Sequence, residues 1–275
     1  MSATSIRAFA DNAVDPPVRG FLHTPETPNG AAVVLTHGAG SSAQAPLLVA
    51  LAETFSTAGF TVLRCDLPYR QVRSFGPPGP ADAARDRAGL ENALEAVKKN
   101  VGAPLLADFA RSGDFRGRDQ SEVAPPLSRT LRQGWDQNKV GAPPNAVFVG
   151  WERRIFLGGH SYGGRQSSML CAESPDLVAG LLLMSYPLHP PRRPEQQRTQ
   201  HLPSLHAPTL FVHGTHDAFG SIAEMQHTLK MIPAKTKLLP VEGAGHDLGF
   251  KGKAKKEELP RLIFSEFAHF FELSS

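Results

Sequence analysis

Gly159-His160-Ser161-Tyr162-Gly163 constrains this chain more than any other stretch of it. The short apolar run Ile155-Phe156-Leu157 precedes it, and a helical-looking segment, Arg165 to Glu173, follows. A serine between glycines, where a strand passes into a helix, sits on a turn so tight that only small neighbours fit. Such a turn exposes the serine Oγ at the carboxyl edge of a sheet. The first N–H groups of the helix, which have no partner within it, face the place where negative charge would develop. The motif therefore demands a sheet whose strands feed helices.

The rest of the chain supplies that rhythm. Val18-His23 and Ala31-Thr36 read as strands, the second running into Thr36-His37-Gly38-Ala39-Gly40. Leu47, Leu48, Leu51 and Phe55 recur at helical spacing, and Gly59 closes that helix. Phe60-Arg64 is the next strand, and Leu90, Ala93, Leu94 and Val97 mark a second amphipathic helix. Met169, Leu170 and Cys171 lie on the helix after Ser161, and Gly180-Ser185 is apolar enough for a strand buried on both faces. Thr209-His213 and Lys237-Val241 are two further strands, and Leu259, Leu262, Ile263, Phe267, Phe270 and Phe271 form an apolar stripe on a terminal helix. Alternating strands and helices predict one α/β domain over residues 1–275, with a mostly parallel central sheet, helices on both faces and no large cap domain.

Residues 101–151 break the pattern, being rich in Gly, Pro, Asp and Arg. This stretch reads as an insertion within the domain, with a helical excursion over Leu127 to Trp135 or disorder as alternatives. It joins a helix end to the start of the nucleophile strand, at the amino edge of the sheet, whereas ligands bind at the carboxyl edge. A protein partner or a tolerated insertion is therefore expected there rather than a lid.

Composition narrows the function classes. A net charge of +3 is too small to argue for nucleic acid. Lys251, Lys253, Lys255 and Lys256 run into Glu257 and Glu258 and read as a solvated loop and helix start. No apolar stretch approaches the ~20 residues of a membrane span, and Met1 to Asp15 lacks the features of a secretory signal. Cys65 and Cys171 are the two cysteines; both sit among apolar residues and read as buried reduced thiols, which makes the cytoplasm the default compartment.

A serine nucleophile needs a base to take its proton, an acid to orient the base, and donors for the oxyanion. Asp217 follows the strand Phe211-Val212-His213, and His246 follows the next strand within Gly243-Ala244-Gly245-His246-Asp247. The order serine, acid, histidine is the one this strand–turn–helix arrangement uses. Asp217 has a rival reading as the cap of a helix beginning near Gly220. Asp247 is a rival acid, badly placed to face the imidazole of its own neighbour. The glycine-rich turn offers the Ala39 N–H as one oxyanion donor, and the Tyr162 N–H is the other. A phosphate-binding loop is the alternative for this turn, but the Lys-Ser/Thr of that motif is missing. His37 and Ser41-Ser42 are expected to brace the turn. His213, His216 and Asp217 have spacing compatible with zinc, but no third ligand region is evident, so neither metal nor organic cofactor is expected.

These residues resemble a known family. Gly158-Gly159-His160-Ser161-Tyr162-Gly163-Gly164-Arg165, the turn Thr36-Gly40 and the strand-end motif Cys65-Asp66-Leu67-Pro68-Tyr69-Arg70 are similar to a branch of the α/β-hydrolases. That branch includes the testis-expressed protein thirty and subunit three of the KAT-eight regulatory complex, and is related to dienelactone hydrolases. The likeness covers about Val18 to Pro80 and Arg153 to Phe271, including Leu182 to Pro190. It implies the α/β-hydrolase fold, a catalytic triad of Ser161, Asp217 and His246, and hydrolysis of a small-molecule ester or related acyl substrate. Some members of the branch serve as components of assemblies.

Three further expectations concern the surroundings. Gly38, Gly40, His160, Tyr186 and His189 are candidates for substrate contact. Asp66 and Arg70 are expected to hold the structure near the site, and Arg165, a cation opposing the helix dipole, is expected to pair with Asp66 or support its motif. The loop Tyr186 to Ala207, stiffened by five prolines, is short enough to leave the site open; its Arg192 and Arg193 offer charge for an anionic substrate but read more readily as exposed surface arginines.

Overall fold

The computed structural model describes residues 4–111, 154–250 and 258–273. Among the described residues eight strands form one sheet: β1 (Ser5–Asp11), β2 (Val18–Thr24), β3 (Ala32–Thr36), β4 (Thr61–Cys65), β5 (Ile155–His160), β6 (Gly180–Met184), β7 (Thr209–Gly214) and β8 (Thr236–Val241). Their spatial order is β1-β2-β4-β3-β5-β6-β7-β8. β1 and β2 run antiparallel at one edge, and β4 through β8 are parallel, joined through β3 at the centre. The parallel strands therefore all deliver their carboxyl ends, and the loops that follow them, to one edge.

Six helices accompany the sheet among the described residues: α1 (Pro46–Thr57), α2 (Pro68–Val72), α3 (Asp82–Arg111), α4 (Tyr162–Glu173), α5 (Ile222–Leu229) and α6 (Glu258–Phe270). Proline opens α1 and α2, where its fixed φ suits the first helical turn and its missing N–H has no intrahelical role. Gly59, at φ +91°, turns the chain out of α1 into β4. Ser221 and Glu224 cap α5 reciprocally, each side chain accepting the other residue's backbone N–H.

Strand residues alternate between two cores. Val34, Leu157, Leu181, Leu183 and Phe211 face one layer with Leu90, Leu94 and Val97 of α3 and Leu170 and Cys171 of α4. Val33, Leu35, Phe156, Leu182, Met184 and Leu210 face the other, with Leu48, Leu51 and Phe55 of α1 and Ile263 and Phe267 of α6. This is the arrangement that continuous apolar strands require. On α6 the stripe is narrower than its sequence suggests: Leu259, Ile263, Phe267 and Phe270 are buried, whereas Leu262 is 46% exposed.

Two elements escape the sequence pattern. β1 is an edge strand with mostly exposed residues, so no burial stamps a period on it. α3 continues through Arg111, taking the start of the 101–151 stretch into a helix. The remainder of that stretch, including Leu127 to Trp135, and the lysine group at residues 251–256 lie outside the described residues.

Phe267 joins α6 to α1 and to the sheet, with ring centroids 5.0 Å from Phe55 and 4.8 Å from Phe156. Phe267→Ala removes that fully buried ring, and equilibrium urea unfolding is expected to show a loss of about 3–5 kcal/mol.

Candidate active site

Ser161 stands between β5 and α4 with φ 53° and ψ −116°, a backbone conformation that L-residues rarely adopt. The packing around it explains why glycines flank it. A Cβ on Gly159 would lie 2.5 Å from the Gly164 nitrogen, and one on Gly163 would lie 2.5 Å from the His37 oxygen. One on Gly164 would come within 2.7 Å of the Gly159 oxygen. Ser161 N–H donates to Met184 O at 2.8 Å, and Ser161 O accepts from Arg165 N at 3.0 Å, which fixes the turn to β6 and starts α4.

The carboxyl ends of β7 and β8 bring two more groups to the same place. His246 Nε2 is 2.7 Å from Ser161 Oγ, and its Nδ1 is 2.8 and 3.0 Å from the two Asp217 oxygens. Asp217 also accepts the Phe219 N–H at 2.9 Å. Burial alone would raise the Asp217 pKa. The hydrogen bond and charge of His246 and the Phe219 N–H outweigh it and hold the carboxyl below its usual range. The imidazole of His246 is stacked on Phe219 at a centroid distance of 4.1 Å. Gly214 lets the two loops meet, since a Cβ there would be 2.4 Å from Ala244 O. His216 N–H donates to Ala244 O and Gly243 N–H to Thr215 Oγ1, both at 2.9 Å, which binds the loops together.

The rival readings of the acid find no support. Ser221, not Asp217, caps α5, and Asp247 accepts the N–H of Gly249 two residues on. Buried His213 is held neutral and donates from Nε2 to Gly220 O at 2.8 Å. Among the described residues no cluster of three or more His, Cys, Asp or Glu side chains is arranged to hold a metal ion.

The turn after β3 is held from behind. His37 Nδ1–H donates to Gly38 O at 2.9 Å while its Nε2 accepts from Leu67 N at 3.1 Å, so both ring nitrogens are committed in the neutral form. The Tyr69 hydroxyl lies 3.3 Å from Gly38 O and 2.9 Å from Ala39 O. Arg70 donates to Ala39 O at 2.9 Å and to Ser41 O at 2.8 Å. In a trans peptide the N–H points opposite to the carbonyl. Anchoring Gly38 O in this way aims the Ala39 N–H away from the anchors. Among the described residues neither the Ala39 nor the Tyr162 N–H donates to protein. Asp66 accepts the Ala43 N–H at 2.7 Å and thereby ties the end of this turn to β4.

The other expected site residues divide. Gly38 must lack a side chain, because a Cβ would be 2.9 Å from His160 Nδ1 and 3.3 Å from Ser161 Cβ. Gly40 faces open space and lines a cavity of about 400 Å³ with Ser41, Ser42, Arg70 and Phe75. His160 is not turned toward substrate: its Nε2 is 2.7 Å from His246 O, so it positions the backbone of the candidate base. Tyr186 is 1% exposed, packed on Phe211, with its hydroxyl donating to Arg198 O at 3.1 Å; it belongs to the core. His189 is also buried and faces Glu224, at 3.4 Å, rather than Ser161. The expected Arg165–Asp66 pair does not form; Asp66 is engaged with Ala43, and buried Arg165 Nε has no partner among the described residues.

Sequence reasoning missed Asp86 of α3. This buried carboxylate accepts the Tyr69 N–H at 3.0 Å and the Tyr162 hydroxyl at 2.8 Å, bracing both sides of the candidate oxyanion site. Burial raises its pKa, partly offset by those two donors. Nothing in the sequence marks a helical aspartate so far from both partners.

Two measurements check this geometry. The conformation at residue 161 favours glycine, so Ser161→Gly is expected to be more stable than Ser161→Ala by about 1 kcal/mol in urea unfolding. Burial also lowers His23, His160 and His201 from 6.5 to about 4. As pH falls through 6.5 the unfolded chain takes up protons that the folded protein refuses until about 4. Stability is therefore expected to fall across that window, with Asp86 contributing in the opposite direction. Melting temperatures that stay flat or rise on acidification would contradict it.

Residues 116–269 match the model of a family described as alpha/beta hydrolase domain. The fold is similar to that of a dienelactone hydrolase from Anabaena variabilis, at 20% identity and a TM-score of 0.61, over 97% of this chain and 98% of that one. It is also similar to an alpha-beta serine hydrolase homologue from Coxiella burnetii (14% identity, TM-score 0.58, 95% of this chain and 97% of that one). A third likeness is to Est1E from Butyrivibrio proteoclasticus (14% identity, TM-score 0.53, 96% and 99%). With its eight-stranded, mostly parallel sheet and its strand–serine–helix turn, the chain belongs to the alpha/beta hydrolase domain family.

Proposed function

We propose that this protein is a serine hydrolase that cleaves a small ester or related acyl substrate through an acyl-enzyme. One observation carries the reading: a continuous hydrogen-bonded line from Ser161 Oγ through both nitrogens of His246 to Asp217. In the first half-reaction Ser161 Oγ attacks the acyl carbon while its proton passes to His246 Nε2. The Ala39 and Tyr162 N–H groups receive the oxyanion. Collapse of the tetrahedral species expels the alcohol, which takes the proton back from Nε2, and leaves the acyl group on Oγ. Water then repeats the cycle with His246 as base, releasing the acid and restoring the serine. Asp217 keeps Nδ1 protonated, so that Nε2 is free to accept.

The extended elbow Gly158–Arg165 and the motif Cys65–Arg70 support placing the chain in the branch related to dienelactone hydrolases that includes the testis-expressed protein thirty. Two buried, unpaired thiols, Cys65 and Cys171, each pushed up to about 12 by burial, support a reducing, cytoplasmic setting. Between β6 and β7 the described chain forms only a short 3-10 turn at Leu202–Ser204, which favours an open site for small esters.

A fluorophosphonate probe is expected to label the wild type and not Ser161→Ala. Labelling of neither would favour a non-catalytic binding module, and labelling of both would remove Ser161 as the nucleophile. Asp217→Asn is expected to lower kcat toward short-chain aryl esters by about 10⁴-fold, because an amide does not hold the required tautomer.

A further inference from the structure

Asp86 of α3 has no exposed surface, and its two carboxylate oxygens serve different segments. Oδ1 accepts the Tyr69 N–H of α2 at 3.0 Å, and Oδ2 accepts the Tyr162 hydroxyl of α4 at 2.8 Å. The rings of the two tyrosines meet edge to face with centroids 5.8 Å apart, so the three residues close a triangle. α3 is seated closely enough to reach both partners because Gly89, one turn beyond Asp86, has no side chain. A Cβ there would lie 2.5 Å from Pro68 Cγ, at the start of α2.

A charge in this place is costly. Arg73, the neighbouring cation, pairs with Asp82 instead. Among the described residues the Asp86 carboxylate is held by an N–H and an O–H and by no ion pair. Taking a carboxylate out of water without a counter-ion destabilises a fold, and a neutral side chain would fill the space at less cost. What the ionised group adds is two charge-assisted hydrogen bonds, shorter and stronger than neutral ones. Both end on the candidate oxyanion site. Tyr162 carries one donor on its own backbone. Tyr69 places its hydroxyl 3.3 Å from Gly38 O and 2.9 Å from Ala39 O, in the turn that carries the other.

We propose that Asp86 is a positioning residue for oxyanion stabilisation: from α3 it sets the orientation of both donors, the Tyr162 N–H through the Tyr162 side chain and the Ala39 N–H through Tyr69. This rests on the hydrolase reading and deepens it. Donors aligned to the oxyanion act on the transition state rather than on the bound ester, so the residue governs turnover and leaves substrate affinity alone.

The test uses the full chain, p-nitrophenyl butyrate as substrate, and an alkyl trifluoromethyl ketone, which adds to a serine as a hemiketal oxyanion. Reactive sites are counted by fluorophosphonate titration, so that every rate refers to folded protein. Asp86→Asn keeps the shape and reverses the polarity of the bond to Tyr162, and Tyr162→Phe removes only that hydroxyl. Both are expected to lower kcat per titrated site by about tenfold or more, to leave KM within about twofold, and to weaken the ketone by a factor similar to the loss in kcat. Arg87→Gln is the control. It breaks the adjacent tie from α3 to Gln166 and Glu173 of α4 and spares the triangle, so Tm is expected to fall while kcat per site stays at the wild-type value. Wild-type kcat per site and ketone affinity in folded Asp86→Asn and Tyr162→Phe, or an equal loss in Arg87→Gln, overturn the positioning role and leave the carboxylate a structural brace. A wild type that neither reacts with the fluorophosphonate nor hydrolyses the ester overturns the hydrolase reading, and the positioning role with it.

Discussion

The close approach of three backbone segments at residues 159–164 is the constraint on which this site depends. β5, the first turn of α4 and the end of β3 meet at distances that exclude even a methyl group on Gly159, Gly163 or Gly164. That contact places the strained Ser161 at the carboxyl edge, with Gly163 against the His37 carbonyl and Gly38 against the Ser161 side chain. The strain is maintained by what surrounds it: Met184 O on one side and the start of α4 on the other. Function-bearing geometry of this kind draws its energy from the two apolar layers that sandwich the sheet.

Around the serine, burial and hydrogen bonding work on charge in two directions. His160, His201 and His213 are kept neutral by desolvation, and the His246 imidazole is aligned between a hydroxyl and a carboxylate. Asp217 is buried as well, yet it stays a carboxylate because His246 and the Phe219 N–H stabilise its negative form. Behind the candidate oxyanion turn, Tyr69, Arg70 and Asp86 restrict the peptide planes through hydrogen bonds to its backbone and its neighbours. A preorganised set of dipoles of this kind favours developing charge without reorganising during reaction.

The legible part of the sequence was the part with strong local rules. Buried parallel strands are apolar throughout, amphipathic helices repeat their stripe, and Gly-x-Ser-x-Gly marks a turn few sequences can make. Asp217 and His246 could be picked out because strand order fixes where such groups appear along the chain. β1 was not legible, since an exposed edge strand carries no burial signal. The orientations of Tyr186, His189 and Arg165 were not legible either, because a loop or helix residue's facing depends on what packs across it. Tyr186 turned into the core against Phe211, and Arg165 was left without the carboxylate expected for it.

The sequence by itself determined an alternating α/β layout, the position of a sharp turn carrying Ser161, and the chain order of its two candidate partners. Those follow from periodicity and glycine placement, which act over a few residues. The tertiary structure alone decided that Asp86 braces Tyr69 and Tyr162 and that His160 holds the His246 backbone. Each of these joins side chains far apart in the chain, and such meetings are set by packing of whole layers rather than by any local preference.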